Sequence, residues 1–260
     1  MIDFHNHLMP GVDDGASDPA QALEGLGAMW ADGVRTVVTT PHFRGSLTRS
    51  PEAFAARMAE LDAAWGTLRA LGEEHFPALR LERGVEISLD APELDLSDAR
   101  VRLGGSPFAL IEFHGFSIPP RSANAFFQLK RAGVTPILAH PERYPGMLGS
   151  AELVDEWRSV GARLQVNAGS VLGRYGEAAC QAALALLGRG EVSYLCSDYH
   201  SRGRLWLRQA HDRLVEMGGS EQAELLTVEN PSRMLAGEPP LPVPPLQAKR
   251  RWWSPLKIFG

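Results

Sequence analysis

The chain has 260 residues, 44% of them hydrophobic, two cysteines and a formal net charge of −5. That length suits one large α/β domain with a substantial core, and the acidic balance speaks against a general nucleic-acid binder. Cys180 and Cys196 alone cannot build a disulfide framework or a cysteine-based zinc module, and no run approaches the roughly 18 apolar residues of a membrane span. The opening MIDFHNH lacks the basic and long apolar regions of a signal peptide, so a cytoplasmic enzyme is expected. In chain order, a short apolar run at Ile2–Phe4 predicts a strand, followed by helical periodicity over Pro19–Asp32. Strand Thr36–Thr39, helix Pro51–Leu71, strand Leu79–Ile87 and strand Phe108–Phe113 come next. Helix Ser122–Ala132, strand Thr135–Ala139, helix Ala151–Val160, strand Arg163–Val166, helix Gly176–Leu187 and strand Val192–Cys196 complete the alternation. A helix near Leu205–Met217 and a short one after Asn230-Pro231 close the domain.

Such alternation predicts a parallel sheet with helices outside it, and seven strands are enough to close a (β/α) barrel over residues 1–236. Composition changes at Gly237. The stretch Glu238–Pro245 holds five prolines and reads as an extended linker, and Lys249–Gly260 is a basic, aromatic tail.

Histidines and carboxylates fall at the ends of the predicted strands. His5 and His7 follow the first, with Asp13 and Asp14 soon after, and His42 follows the second. Glu86 and Glu112 lie near the ends of the third and fourth, His140 follows the fifth, and Asp198 and His200 follow the seventh. In parallel barrels the C-terminal strand ends converge on one face, where active sites form. Each residue alone has a plainer explanation: a chance His-x-His, a surface glutamate, a core histidine or a loop cap. Together they would crowd unpaired carboxylates onto one buried face, an arrangement that divalent cations relieve. Asp14, Glu86, Glu112 and Asp198 carry about −4 when ionised; two divalent ions would neutralise them, and three would leave a pocket attractive to a phosphate dianion.

The segment Met1–Ala16, MIDFHNHLMPGVDDGA, resembles the opening of the bacterial polymerase-and-histidinol-phosphatase (PHP) superfamily. More narrowly it is similar to the manganese-dependent protein-tyrosine phosphatases of capsule and exopolysaccharide gene clusters. The segments TTPHF, GVEI, LIEF, AHPERY, VNAGS, SDYH and VENPSRML match in order, so the resemblance runs from residue 1 to about 236. It implies a distorted seven-stranded (β/α) barrel of PHP type in a single domain. It also implies three divalent ions, manganese first, with iron, zinc or magnesium as alternatives. The ligands carried over are His5, His7, Asp14, His42, Glu86, Glu112, His140, Asp198 and His200. His5, His7, Glu86 and Asp198 would share one ion, with Glu86 bridging to a second held by Glu112 and His140. Asp14, His42 and His200 would hold the third. Asp13 is left as a turn residue. Arg143 matches the family's phosphate-binding arginine, and Arg204, in competition with Arg202, is the further arginine expected after the final histidine. His114 reads as a surface histidine, and His75 and His211 receive no role.

Cys196–Arg202, CSDYHSR, formally satisfies the C-x5-R pattern of cysteine-dependent phosphatases. That chemistry needs backbone N–H groups wrapped around the phosphate and a thiolate of low pKa, whereas this loop contains Asp198. The expected reaction is therefore direct, metal-dependent hydrolysis of a phosphomonoester without a phosphoenzyme, the substrate being a phosphotyrosine protein such as a membrane-bound tyrosine kinase. The alternatives are a histidinol-phosphate type of small-molecule phosphatase, or an adaptor with a structural metal site. The tail sets Lys249, Arg250, Arg251 and Lys257 beside Trp252, Trp253, Leu256, Ile258 and Phe259. That composition suits an anionic membrane surface, at the inner face of the membrane, or a membrane-bound kinase partner, and a disordered or packed terminus is the plainer reading.

Overall fold

The computed structural model describes residues 1–246, so the tail Lys249–Gly260 lies outside the described residues. Strand β1 (Ile2–Asp3) leads to helix α1 (Pro19–Ala31), then β2 (Thr36–Thr39), β3 (His42–Arg44) and α2 (Pro51–His75). There follow β4 (Arg80–Arg83), β5 (Glu86–Leu89), β6 (Phe108–Phe113), α3 (Ser122–Arg131), β7 (Thr135–Ala139) and α4 (Ala151–Ser159). Next are β8 (Arg163–Asn167), α5 (Ala168–Val171), α6 (Glu177–Gly188) and β9 (Tyr194–Cys196), and the described part ends with α7 (Leu207–Glu216), α8 (Ser220–Glu224) and α9 (Asn230–Leu235). The result is a single α/β domain with parallel strands.

The strands form two sheets, one ordered β1-β2-β4 and the other β3-β5-β6-β7-β8-β9, with every pairing parallel. All seven expected runs contain a strand, but Leu79–Ile87 is broken in two and β3 is additional. Both breaks fall at one level. Pro41 separates β2 from β3 and has no N–H to give a ladder, and Gly84 separates β4 from β5 where Leu103 and the Arg102 carbonyl press close. The chain nevertheless stays in step, since Gly84 N–H donates to Thr39 O and Glu86 N–H to Pro41 O. At the outer edges Asn6 bridges Tyr199, His7 N–H donates to Tyr199 O, and Asp198 N–H donates to His5 O. The end of β1 thus meets the end of β9.

Successive strand residues point to opposite faces, and both faces are covered. Phe4, Val38, Leu110, Ile137 and Tyr194 form one apolar cluster, capped by Met234 of α9, while Val37, Ile111, Leu138, Leu164 and Leu195 pack in the larger cluster beneath the helices. Helix α1 starts where Asp18 accepts from Ala20 N and Gln21 N, with Pro19 pre-set at the first helical position.

The proline-rich stretch is seated on the body. Asn230 accepts from Leu241 N and donates to Leu241 O, Gln222 Nε2 donates to Pro244 O, and Leu246 N–H donates to Leu187 O. Val243 and Leu246 are buried. Prolines cannot donate, so these two amide side chains provide much of the polar anchoring. Among the described residues no helix is long and apolar enough to cross a membrane.

Candidate active site

The first two donors leave β1 as His5 and His7, both fully buried. The following loop turns back on them: Ala16 N–H donates to His7 O, and Gly15 lies so close to the His7 backbone that a Cβ there would collide with it. This turn presents Asp13 inward. Its Oδ2 stands 2.7 Å from His7 Nδ1 and accepts from His42 N at 3.0 Å, and its Oδ1 accepts from Gly15 N. The expectation that Asp13 is a simple turn residue is therefore corrected: it also clamps His7 and the start of β3. A histidine that uses one ring nitrogen toward a cation commonly gives the other N–H to a carboxylate, and the doubled Asp was the available signal.

A second chain of hydrogen bonds orients His5. Its Nδ1 meets Gln165 Oε1 at 2.8 Å, Gln165 Nε2 donates to Asn167 Oδ1, and Asn167 Nδ2 donates to Asp198 Oδ2 at 2.7 Å. An amide oxygen only accepts, so His5 must carry its proton on Nδ1, leaving the Nε2 lone pair turned to the cluster when the ring is neutral. Gln165 was missed in the sequence because nothing local links it to a histidine 160 residues away. Asn167 sits in the matched VNAGS segment, but its partner was not legible.

His140 and Asp198 adopt left-handed backbone conformations, φ 35° and 53°. Such values are costly for residues with a Cβ, and here they turn both side chains into the cluster. His200 stacks on His7, ring centroids 3.9 Å apart, and its Nδ1 lies 3.0 Å from Asp198 O.

The nine residues picked from the sequence come together in four overlapping groups whose donor atoms lie within 4.8 Å of one another. These are His7, Asp14, His42 and His200; His5, His140 and Asp198; His5, His7 and Glu86; and His42, Glu86 and Glu112. The grouping departs from the expected one at two points. His42 reaches Glu86 and Glu112 as well as Asp14, and His140 sits with His5 and Asp198 while keeping Glu86 Oε1 at 3.1 Å.

Several atoms point at one another without bonding. His5 Nε2, His7 Nε2, His42 Nδ1 and Glu86 Oε2 are buried and have no hydrogen-bond partner among the described residues. Yet His42 Nδ1 is 2.9 Å from Glu86 Oε2, and His5 Nε2 is 3.1 Å from Glu86 Oε1. With the rings neutral, their lone pairs are aimed at shared points, as a divalent cation requires, and an imidazole and carboxylate donor set suits one.

Imidazoles and carboxylates shift one another strongly within the cluster. Burial raises the Glu86 carboxyl, but His5 and the surrounding histidines overcome it and hold it well below the carboxylate range. Burial opposes a charge on His5, yet Glu86 and Asp198 bring its pKa up to about 9. Glu112 is raised by burial and by Glu86, and His200 is lowered by burial and by His7.

Arg143 lies at the rim, with Nη1 2.8 Å from Asp198 Oδ2 and its guanidinium 4.4 Å above the Tyr175 ring. Arg202 donates to the backbone carbonyl of Asp14. Arg204, chosen over Arg202 from the sequence, is exposed and rests 5.2 Å from the Trp206 ring centroid, outside the cluster. His114 is exposed and bonds Ser88 Oγ, while His75 and His211 sit beside Glu74 and Asp212 on helices. Cys196 is fully buried, and burial together with the nearby Asp3 carboxylate pushes its thiol well above the ordinary range.

Known proteins share this architecture. The chain is 30% identical to the tyrosine-protein phosphatase YwqE of Bacillus subtilis over 264 residues, covering 100% of this chain and 99% of that protein. It is 29% identical over 244 residues to the tyrosine-protein phosphatase CpsB of Streptococcus pneumoniae, covering 90% and 98%. The crystal structures of YwqE and CpsB, described as unique metal-dependent tyrosine phosphatases, include a chain that superposes with a TM-score of 0.80 at 27% identity, covering 96% of this chain and 100% of that one. Residues 1–236 match the sequence model of one family throughout, and the chain belongs to that family, capsular polysaccharide synthesis CpsB/CapC.

Proposed function

We propose that this protein hydrolyses phosphotyrosine on a protein substrate, a tyrosine kinase of capsule or exopolysaccharide synthesis being the natural one, in the cytoplasm. The observation that carries the reading is the set of buried, unbonded donor atoms on His5, His7, His42 and Glu86. The names of YwqE and CpsB support it.

The nine strands are read as seven barrel positions, β2 and β3 sharing one and β4 and β5 another, with the Asn6–Tyr199 bridge closing the ring. Residues 1–236 form the phosphatase unit, and 237–246 strap its underside ahead of the tail. Contact of residues 249–259 with an anionic membrane is proposed from their composition alone. Deleting 247–260 should abolish binding to anionic vesicles and leave turnover intact.

The donor set His5, His7, Asp14, His42, Glu86, Glu112, His140, Asp198 and His200 fits three divalent ions, manganese first. When bound, such ions lower the pKa of a water and neutralise phosphoryl charge. Asp13, Gln165 and Asn167 hold His7, His5 and Asp198 in place for them. Arg143 is poised to take phosphoryl oxygens with a planar pair of N–H donors, its guanidinium braced by Tyr175. Cys196 takes no part, since a buried neutral thiol is no nucleophile, and no phosphoenzyme forms.

The test is phosphate release from a phosphotyrosine peptide, and from histidinol phosphate, by chelator-stripped protein before and after adding manganese, iron, zinc or magnesium. Restoration by an added ion with preference for the peptide is expected. Full activity without metal would end the reading.

A further inference from the structure

Beside the histidine–carboxylate cluster lies a cavity of about 480 Å³ whose wall includes His42 and Glu112. Its chemistry changes away from those two residues. Val12 and Leu47, both partly buried, offer apolar surface, with Phe43 buried behind them. Arg57 fixes the shape: one guanidinium nitrogen donates to Val12 O at 2.9 Å and to His42 O at 3.1 Å, tying the loop after β1 to the start of β3. On another side Ser88 Oγ and His114 Nδ1 are 3.1 Å apart. The exposed His114 also borders a second cavity of about 500 Å³, which runs along Pro119, Pro120 and Arg121. The two cavities therefore meet at one side chain.

Such a recess is of little use to a phosphate ester of a small polar alcohol, which has no apolar face to bury. A phenyl ester does, and the gain scales with the apolar area removed from water. We infer that the cavity between Val12 and Leu47 seats the aromatic ring of the substrate, the phosphoryl group lying toward His42 and Glu112 and the peptide leaving past His114 into the second cavity. This inference rests on the phosphatase reading above. It adds to it a leaving-group pocket whose apolar wall, Val12, Phe43 and Leu47, the metal cluster does not use, and which favours aryl over alkyl esters.

The experiment uses full-length protein loaded with manganese and measures inhibition of phosphotyrosine-peptide hydrolysis by phenylphosphonate and by methylphosphonate. Both carry the same anionic head, so the ratio of their inhibition constants isolates the ring. The wild type should bind the phenyl compound about tenfold or more tighter, and Leu47→Trp, which fills the recess, should remove most of that advantage. Leu47→Ala, which strips the wall, should reduce it in the same direction and carries the test if the larger side chain prevents folding. Equal inhibition of the wild type by the two phosphonates, or an advantage that survives both substitutions, overturns the pocket while leaving the phosphatase reading in place. A loaded wild type with no activity on the phosphotyrosine peptide overturns both together.

Discussion

Asp13 Oδ2 stands 2.7 Å from His7 Nδ1, while the adjacent Asp14 turns outward so that its Oδ1 lies 3.3 Å from His200 Nε2 and 3.4 Å from His42 Nε2. Neighbouring carboxylates thus serve different tasks, one holding a histidine ring and the other offering a donor atom. Burial raises the Asp13 carboxyl, but the hydrogen bond and charge of His7 outweigh it and bring its pKa down to about 2. Removing it should free the His7 ring. Asp13→Ala is expected to weaken manganese binding by about 10- to 100-fold, with partial recovery in Asp13→Asn, as titration calorimetry would show. Unchanged affinity in Asp13→Ala would mean that the residue only shapes the turn.

Protons and metal ions compete for the same nitrogens. In the metal-free protein burial opposes a charge on His5, but Glu86 and Asp198 raise its pKa from 6.5 to about 9. The folded chain then holds a proton that the unfolded chain has released. This contribution to stability is complete below the unfolded value of about 6.5 and is lost as pH rises through about 9. Metal uptake at a pH between these values should expel that proton. Adding manganese to metal-free protein in weak buffer near pH 7.5 is expected to release about one proton or more, and apparent affinity should fall as pH drops. Uptake with no proton release would show that His5 is not displaced.

Arg143 is expected to act on substrate rather than on the metals. Arg143→Ala should lower kcat/KM by about tenfold to a thousandfold while bound metal, counted by elemental analysis, stays constant. Loss of metal along with rate would give Arg143 a structural role through Asp198.

The two arginines after His200 should separate in the same assay. Arg202 is committed to the Asp14 carbonyl, so Arg202→Ala should loosen the Asp14 loop and weaken metal binding. Arg204 is held over Trp206 by a cation–π contact worth only about 0.5–1 kcal/mol at an exposed site, which leaves it able to swing toward an anion. Arg204→Ala should lower kcat/KM and keep the metals. The opposite pattern would exchange their roles.

Cys196 and Asp198 lie two positions apart, and the two phosphatase chemistries rank them oppositely. Cys196 is 0% exposed, so Cys196→Ser exchanges one buried group for a near-isostere and should cost modest stability and little activity. Asp198→Ala removes a donor shared by several histidines and the partner of Arg143, and activity should fall by several orders of magnitude. Initial rates on a phosphotyrosine peptide, with metal counted in each variant, decide the matter. An inactive Cys196→Ser protein that retains its metal would restore the cysteine mechanism.

The strands were legible as short continuous apolar runs because a parallel sheet is buried on both faces, and the placing of His5, His42, His140 and His200 just beyond those runs was legible because parallel strands deliver their C-terminal ends to one face. The order of those runs in the chain carried that much, but not the breaks at Pro41 and Gly84, since Leu79–Ile87 reads as one run. What each donor meets there is a matter of loop closure, and periodicity is silent on it. Only the folded chain shows that Asp13 rather than Asp14 holds His7, because the tight return at Gly15 decides which of two adjacent carboxylates faces inward. Only the pairing of β8 between β7 and β9 brings Gln165 and Asn167 against His5 and Asp198. The proline-rich stretch reads as an extended linker from its composition, and it becomes a strap because Asn230 and Gln222 supply polar contacts from another part of the fold. Short-range pattern determines the face a side chain takes, and tertiary closure determines its partner.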